Sequence, residues 1–187
     1  MGRSSKEQAE RNRNLVVETA CALFREHGVE NVSISDIMSA AGLTNGGFYK
    51  HFESKEALIA EAFDMAFKQS SESWTQVRKP GNGAAALVEH YFKRADPART
   101  CPMLSFASQA STLTQEAEAL QIYRQGTRDL FEQFDEALRK RDDSANQLTE
   151  QERLLRFAAM IGAGMLGRAM GDTPWIKDIQ EAVQDAV

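Results

Sequence analysis

Cysteine is scarce in this chain. Cys21 and Cys101 are the only two in 187 residues, too few for a disulfide framework and suited to a reducing cytosol. No apolar run approaches the roughly 20 residues that span a bilayer. The opening MGRSSKEQAE lacks the apolar core of a signal peptide. Lys6 stands where a myristoylation signal needs Ser or Thr. These absences lead to the expectation of a soluble, cytoplasmic protein. Histidine is equally thin: His27, His51 and His90 are far apart, and none pairs with Cys or Glu at a metal-ligand spacing. Phosphate loops, nucleophile elbows and dinucleotide fingerprints are missing. The expectation is a protein that is not an enzyme and has no cofactor or metal.

Positive charge is also in short supply. Lys and Arg number 22 against 27 Asp and Glu, for a net charge of −5. Nucleic-acid binders are often basic overall, so this balance weighs mildly against DNA. The deficit is uneven, however. Residues 1–55 carry seven basic and seven acidic side chains. The amino-terminal third is neutral, and a small basic surface there would be averaged away in the total.

Proline is limited to four residues, strand-like alternation is absent, and helical periodicity fills the chain. Leu15, Val16, Thr19, Ala20, Leu23 and Phe24 form one stripe, closed by Gly28. Ser33 and Asp36 read as a capping box, opening a helix from about Ile34 to Ala41 that Gly42 stops. Thr44 can cap a further helix to about His51, and Ser54 a long one with Leu58, Ile59, Ala62, Phe63, Ala66 and Phe67 inward. The patch from Arg78 to Gly83 is the clearest break. Helices follow over Ala84 to Arg94, over Pro102 to Ala110, and after possible capping boxes at Thr112–Gln115 and Thr149–Glu152. Pro174 starts the last one. The expectation is an all-α fold of about nine helices without a sheet.

Residues 33–52 have the layout of a helix-turn-helix. Ile34, Ile37, Met38, Ala41, Leu43, Phe48 and Phe52 would pack the pair against the first helix. Thr44, Asn45, Gly46, Gly47, Tyr49 and Lys50 would remain outward. These types suit DNA: Asn can bond bidentately to adenine, Lys to guanine or phosphate, and hydroxyls, His51 and Lys55 to phosphates. Arg3, Lys6, Arg11 and Arg13 add local positive charge. Helical hairpins with glycine in the turn also occur in all-α proteins without DNA function, so periodicity alone leaves both readings open.

The segments ACALFREHGVENVSISDIMSAAGL and GGFYKHFESKEAL resemble the amino-terminal domain of the TetR family of bacterial transcriptional regulators, from about Leu15 to Phe67. The Gly-Gly-Phe-Tyr start of the second segment is similar to one subgroup of the family's recognition helix. The resemblance implies a DNA-binding domain over residues 1–53 and a helical effector-binding and dimerisation domain over 54–187. It implies phosphate contacts from Tyr49, His51 and Lys55. Thr44, Asn45, Gly46 and Lys50 would lie in the major groove, with Ser33 and Ser35 near the backbone. Gly47 departs from the pattern, because many members carry Thr or Ser there. The resemblance further implies a homodimer on palindromic, double-stranded operator DNA.

Dimerisation has its own support. Residues 157–170, FAAMIGAGMLGRAM, are apolar almost all round, and such a helix must be buried on every face. A subunit interface through Ala158, Ile161, Gly162, Met165, Leu166, Ala169, Trp175 and Ile179 would bury it. The alternative is a central core helix within one subunit.

A regulator of this kind responds to a small molecule that prefers one of two states. Trp74, Tyr91, Met103, Phe106, Tyr123 and Phe131 are candidate pocket linings, and they suggest an apolar or aromatic effector. Each taken singly also reads as ordinary core. Cys101 precedes Pro102 at an expected helix N-terminus, where a thiolate is favoured. It is either part of the effector site, a sensor of oxidants or electrophiles, or a packing residue. A helical ligand-binding protein without DNA function is the remaining alternative.

Overall fold

The computed structural model describes residues 2–78, 83–93, 96–139 and 148–187. Nine α-helices lie among them: α1 Gly2–His27, α2 Ile34–Ala40, α3 Lys55–Val77, α4 Gly83–Phe92, α5 Pro102–Ser105, α6 Ala107–Thr112, α7 Glu118–Arg139, α8 Glu150–Met170 and α9 Pro174–Asp185. Three short 3-10 helices cover Val29–Asn31, Asn45–Lys50 and Pro97–Arg99. The described residues include no strand. Residues 79–82, where the break after Arg78 is expected, fall outside them.

The local signals act as physical chemistry requires. Gly28 and Gly42 end α1 and α2 at φ +82° and +69°, backbone that only glycine adopts without strain. Ser33 and Asp36 form a reciprocal capping box, as do Thr149 and Glu152. Ser54 Oγ accepts from the Ala57 amide at 3.2 Å and caps α3. Two expectations fail. Thr112 and Gln115 are no capping box: Thr112 closes α6, its hydroxyl bonded to the Gln109 carbonyl, and Gln115 is held by Arg124. The helix expected over Pro102 to Ala110 is broken at Phe106, whose φ and ψ of −107° and 0° separate α5 from α6.

The chain divides into two compact units, Met1–Gln69 with Ala95–Gly126, and Ser70–Arg94 with Thr127–Val187. In the first, α1 buries Val16, Val17, Ala20, Cys21 and Phe24 against Ile37, Met38, Phe48, Phe52, Leu58 and Phe63. The stripe is turned slightly from the expected one, since Val17 is buried and Leu15 is 41% exposed. Phe106 stacks on Phe63 with centroids 4.0 Å apart. One charge enters this core. Arg25 is 2% exposed, and its guanidinium donates to the Ala66 carbonyl at 2.8 Å and to Gln69 Oε1 at 2.9 Å. Burial depresses its pKa.

In the second unit, Trp74, Leu87, Val88, Leu130, Phe134, Phe157, Met160 and Ile176 are buried. Trp74 meets Tyr91 edge-on at 6.1 Å, and Phe131 meets Phe157 at 5.3 Å. Asp135 holds both Arg153 and Arg139, tying α7 to the start of α8.

Candidate nucleic-acid interface

The site is built from α2, the Gly42 turn and Asn45–Lys50. Leu43 N donates to the Met38 carbonyl at 2.8 Å, which folds the turn back on α2. The following segment winds as a 3-10 helix, not the α-helix expected to His51. Six residues with two adjacent glycines are too short and too flexible to nucleate an α-helix alone, and 3-10 winding is common in short pieces. Thr44 occupies the N-cap position, but its side chain makes no cap bond.

Two aromatic anchors orient the segment. Phe48 and Phe52 are 0% and 4% exposed and stack on each other at 5.4 Å. Fixing them inward leaves Thr44, Asn45, Gly46, Tyr49 and Lys50 exposed, with Gly47 and His51 half-buried. Tyr49 is 72% exposed and meets the Phe48 ring in a T-shaped contact with centroids 5.1 Å apart. The Asn45 amide Nδ2 donates to Ser35 Oγ at 3.0 Å.

Several basic and hydroxyl groups have intramolecular partners, and of these only the Ser33–Asp36 pair is expected from the sequence. Lys55 Nζ donates to the Val29 carbonyl at 3.0 Å and lies 6.0 Å from the Phe24 ring centroid. Arg13 pairs with Glu61 at 2.5 Å and lies 4.8 Å from the Phe52 ring centroid, so it packs against an aromatic anchor of the segment. Arg11 donates to Gln8, Lys6 is exposed, and the Arg3 side chain lies outside the described residues. Ser33 is engaged with Asp36, and the hydrogen bonds that its hydroxyl and backbone amide donate to Asp36 Oδ2 hold that carboxyl below its ordinary pKa.

The seven effector candidates fall in two groups. Cys101, Met103, Phe106 and Tyr123 lie in the first unit, where the Tyr123 hydroxyl donates to the Met103 carbonyl at 2.9 Å. Trp74, Tyr91 and Phe131 lie in the second. Cys101 is half-buried at the N-cap of α5 and makes no side-chain cap bond. Among the described residues no group of three or more His, Cys, Asp or Glu could hold a metal ion.

On α8 and α9, Ala158, Met165, Ala169 and Trp175 are exposed, and Ile161, Gly162, Leu166 and Ile179 are half-buried. Leu155, 70% exposed, was not foreseen. It extends the same face by one turn, three residues before Ala158 and seven before Gly162. Sequence reading also missed the burial of Arg25. Its position four residues after Cys21 does lie on the inward stripe, but its charge argued for solvent.

Residues 16–62 match the family described as bacterial regulatory proteins, tetR family. That segment is an amino-terminal domain of the TetR family. The chain is 32% identical over 91 residues to the HTH-type transcriptional regulator AcrR of Shigella flexneri, covering 48% of this chain and 42% of that protein. It is 30% identical over 106 residues to the regulator TtgR of Pseudomonas putida, covering 54% and 50%. The matches thus span about half the length of these relatives or less. A TetR transcriptional regulator from Chloroflexus aurantiacus has a similar structure, with a TM-score of 0.79, 26% identity, and 96% of this chain and 95% of that chain covered. No helix among the described residues is long and apolar enough to cross a membrane.

Proposed function

We propose that the protein is a cytoplasmic, ligand-responsive transcriptional repressor, which binds a palindromic operator as a homodimer and leaves it when a small molecule binds. The glycine pair carries this reading. Neither Gly46 nor Gly47 has left-handed backbone. A Cβ at Gly46 would meet nothing within 4 Å, and one at Gly47 would make only ordinary contacts, at 3.6 Å with Met38 and 4.0 Å with Thr44. The fold of the chain does not require glycine at either place. A partner approaching the backbone does, and glycine leaves it room. Asn45, Tyr49 and Lys50 surround that gap with groups that bond bases and phosphates.

In this reading residues 1–53 read DNA and residues 54–187 bind the effector and dimerise. Tyr49, Lys50 and His51, with the remaining hydrogens of the Lys55 ammonium, contact phosphate or guanine. The exposed apolar face of α8 supports the homodimer. The two aromatic groups support an apolar or aromatic effector. The test is an electrophoretic shift with DNA from beside the protein's own gene, over a range of salt. Binding is expected, with log affinity falling linearly against log salt at a slope of about −0.9 per neutralised phosphate. The reading is wrong if no local fragment shifts even at low salt.

One observation favours a second mode of release. Cys21 is buried, whereas Cys101 is only half-buried and stands at the N-cap of α5, where a reagent has access to its sulfur. In that reading modification of Cys101 by an electrophile releases the operator. Wild type and Cys101→Ser would be compared after treatment, and equal release would exclude Cys101.

A further inference from the structure

Asn45 and Ser35 are ten residues apart, one on the reading segment and the other in the first turn of α2, and both are exposed. Their side chains are joined by the 3.0 Å hydrogen bond from Asn45 Nδ2 to Ser35 Oγ. An exposed asparagine amide ordinarily rotates freely and can present either edge outward. This one is tethered. The neighbouring groups do not compete for the Ser35 hydroxyl, because Ser33 and Asp36 are bonded to each other.

An asparagine amide has two N–H donors and one carbonyl acceptor. With one N–H given to Ser35, one N–H and the oxygen Oδ1 remain. The N–H cis to Oδ1, together with that oxygen, is what adenine takes through N7 and its N6 amino group, while the trans N–H serves Ser35. We propose that Ser35 is a specificity-determining positioning residue, which holds the Asn45 amide in one orientation for a single adenine in each half-site. Ser35 itself need not touch a base. The proposal rests on the reading of the protein as an operator-binding regulator.

The test is selection of full-length protein against a duplex library with randomised positions, for wild type, Ser35→Ala, Ser35→Thr and Asn45→Ala. Wild type is expected to enrich a two-fold motif. Asn45→Ala should flatten one position of each half-site where wild type prefers adenine. Ser35→Ala should weaken that same preference, from roughly tenfold or more to under about threefold, because a single wrong base pair carries a limited cost. Elsewhere the preferences of the motif should be unchanged. Ser35→Thr, which keeps the hydroxyl, should restore the preference. An unchanged preference in Ser35→Ala overturns the proposal and leaves the operator reading intact. So does a loss of affinity spread evenly over all positions, which would make Ser35 a phosphate contact. Enrichment of no motif by wild type would overturn the operator reading together with this one.

Discussion

Gly164 of α8 faces the ring of Tyr91 so closely that a Cβ there would lie 2.5 Å from Cε1. The ring has little freedom to withdraw, since it packs edge-on against both Trp74 and Phe92 at 6.1 Å. Gly162, two residues earlier, has nothing within 4 Å of the same position. Small residues on one helix therefore serve two different surfaces.

Gly164→Ala is expected to destabilise the protein by about 1–3 kcal/mol, the usual cost of overpacking. Gly162→Ala should leave the fold as stable or slightly more so, since alanine is the better helix former by about 1 kcal/mol. Urea unfolding of the two variants side by side decides the point. Equal destabilisation would show that the difference in packing has no energetic weight.

Arg25→Met should cost about 2–3 kcal/mol, because hydrogen bonds to a charged donor are strong and the buried Ala66 carbonyl would be left without it. Arg25→Lys should recover only part of that loss, since an ammonium cannot reproduce the guanidinium fork. Chemical denaturation monitors both. A neutral Arg25→Met would mean that an apolar side chain fills the site equally well.

His90 gives the second unit a pH dependence. Its Nε2 lies 3.0 Å from Ser73 Oγ, and burial, then the charge of Lys93, pushes its pKa below the ordinary value of 6.5. The folded protein therefore prefers the neutral ring, while the unfolded chain takes up a proton near that ordinary value. This contribution to stability is present above the unfolded pKa and is lost as pH falls toward the folded one. The melting temperature should drop between pH 7 and about pH 5, and less steeply in His90→Gln. Identical slopes would place the pH dependence on other groups.

The exposed face of α8 predicts a concentration-dependent assembly. Leu155→Glu and Met165→Glu place charge on side chains that are 70% and 63% exposed in the single chain. Surface changes of this kind usually alter folding stability by less than about 0.5 kcal/mol. Sedimentation should find a dimer for wild type and monomers for the variants, with unchanged helical circular dichroism. Dimers of normal affinity in both variants would move the interface elsewhere.

Gly46→Leu should fold normally, because its Cβ points into open space, yet lose operator binding by at least about a hundredfold, equivalent to roughly 3 kcal/mol. Wild-type affinity would reduce the glycine pair to turn chemistry.

Much of this organisation was legible in the amino-acid order alone. The capping pairs Ser33–Asp36 and Thr149–Glu152 and the inward anchors Phe48 and Phe52 depend on contacts within a turn or two of helix. So does the outward set Asn45, Tyr49 and Lys50. Spacing along the chain records such contacts directly. Tertiary structure decided the rest. It buried Arg25 through bonds to Ala66, 41 residues away, and turned Arg13 toward Glu61, 48 residues away. It separated the seven effector candidates into two units. It also chose which glycines of α8 face inward, because Gly164 meets Tyr91 and Gly167 meets Gln180 while Gly162 meets nothing. Residue spacing gives the faces of a helix, but the neighbour of each face comes from distant parts of the chain, and only packing brings them together.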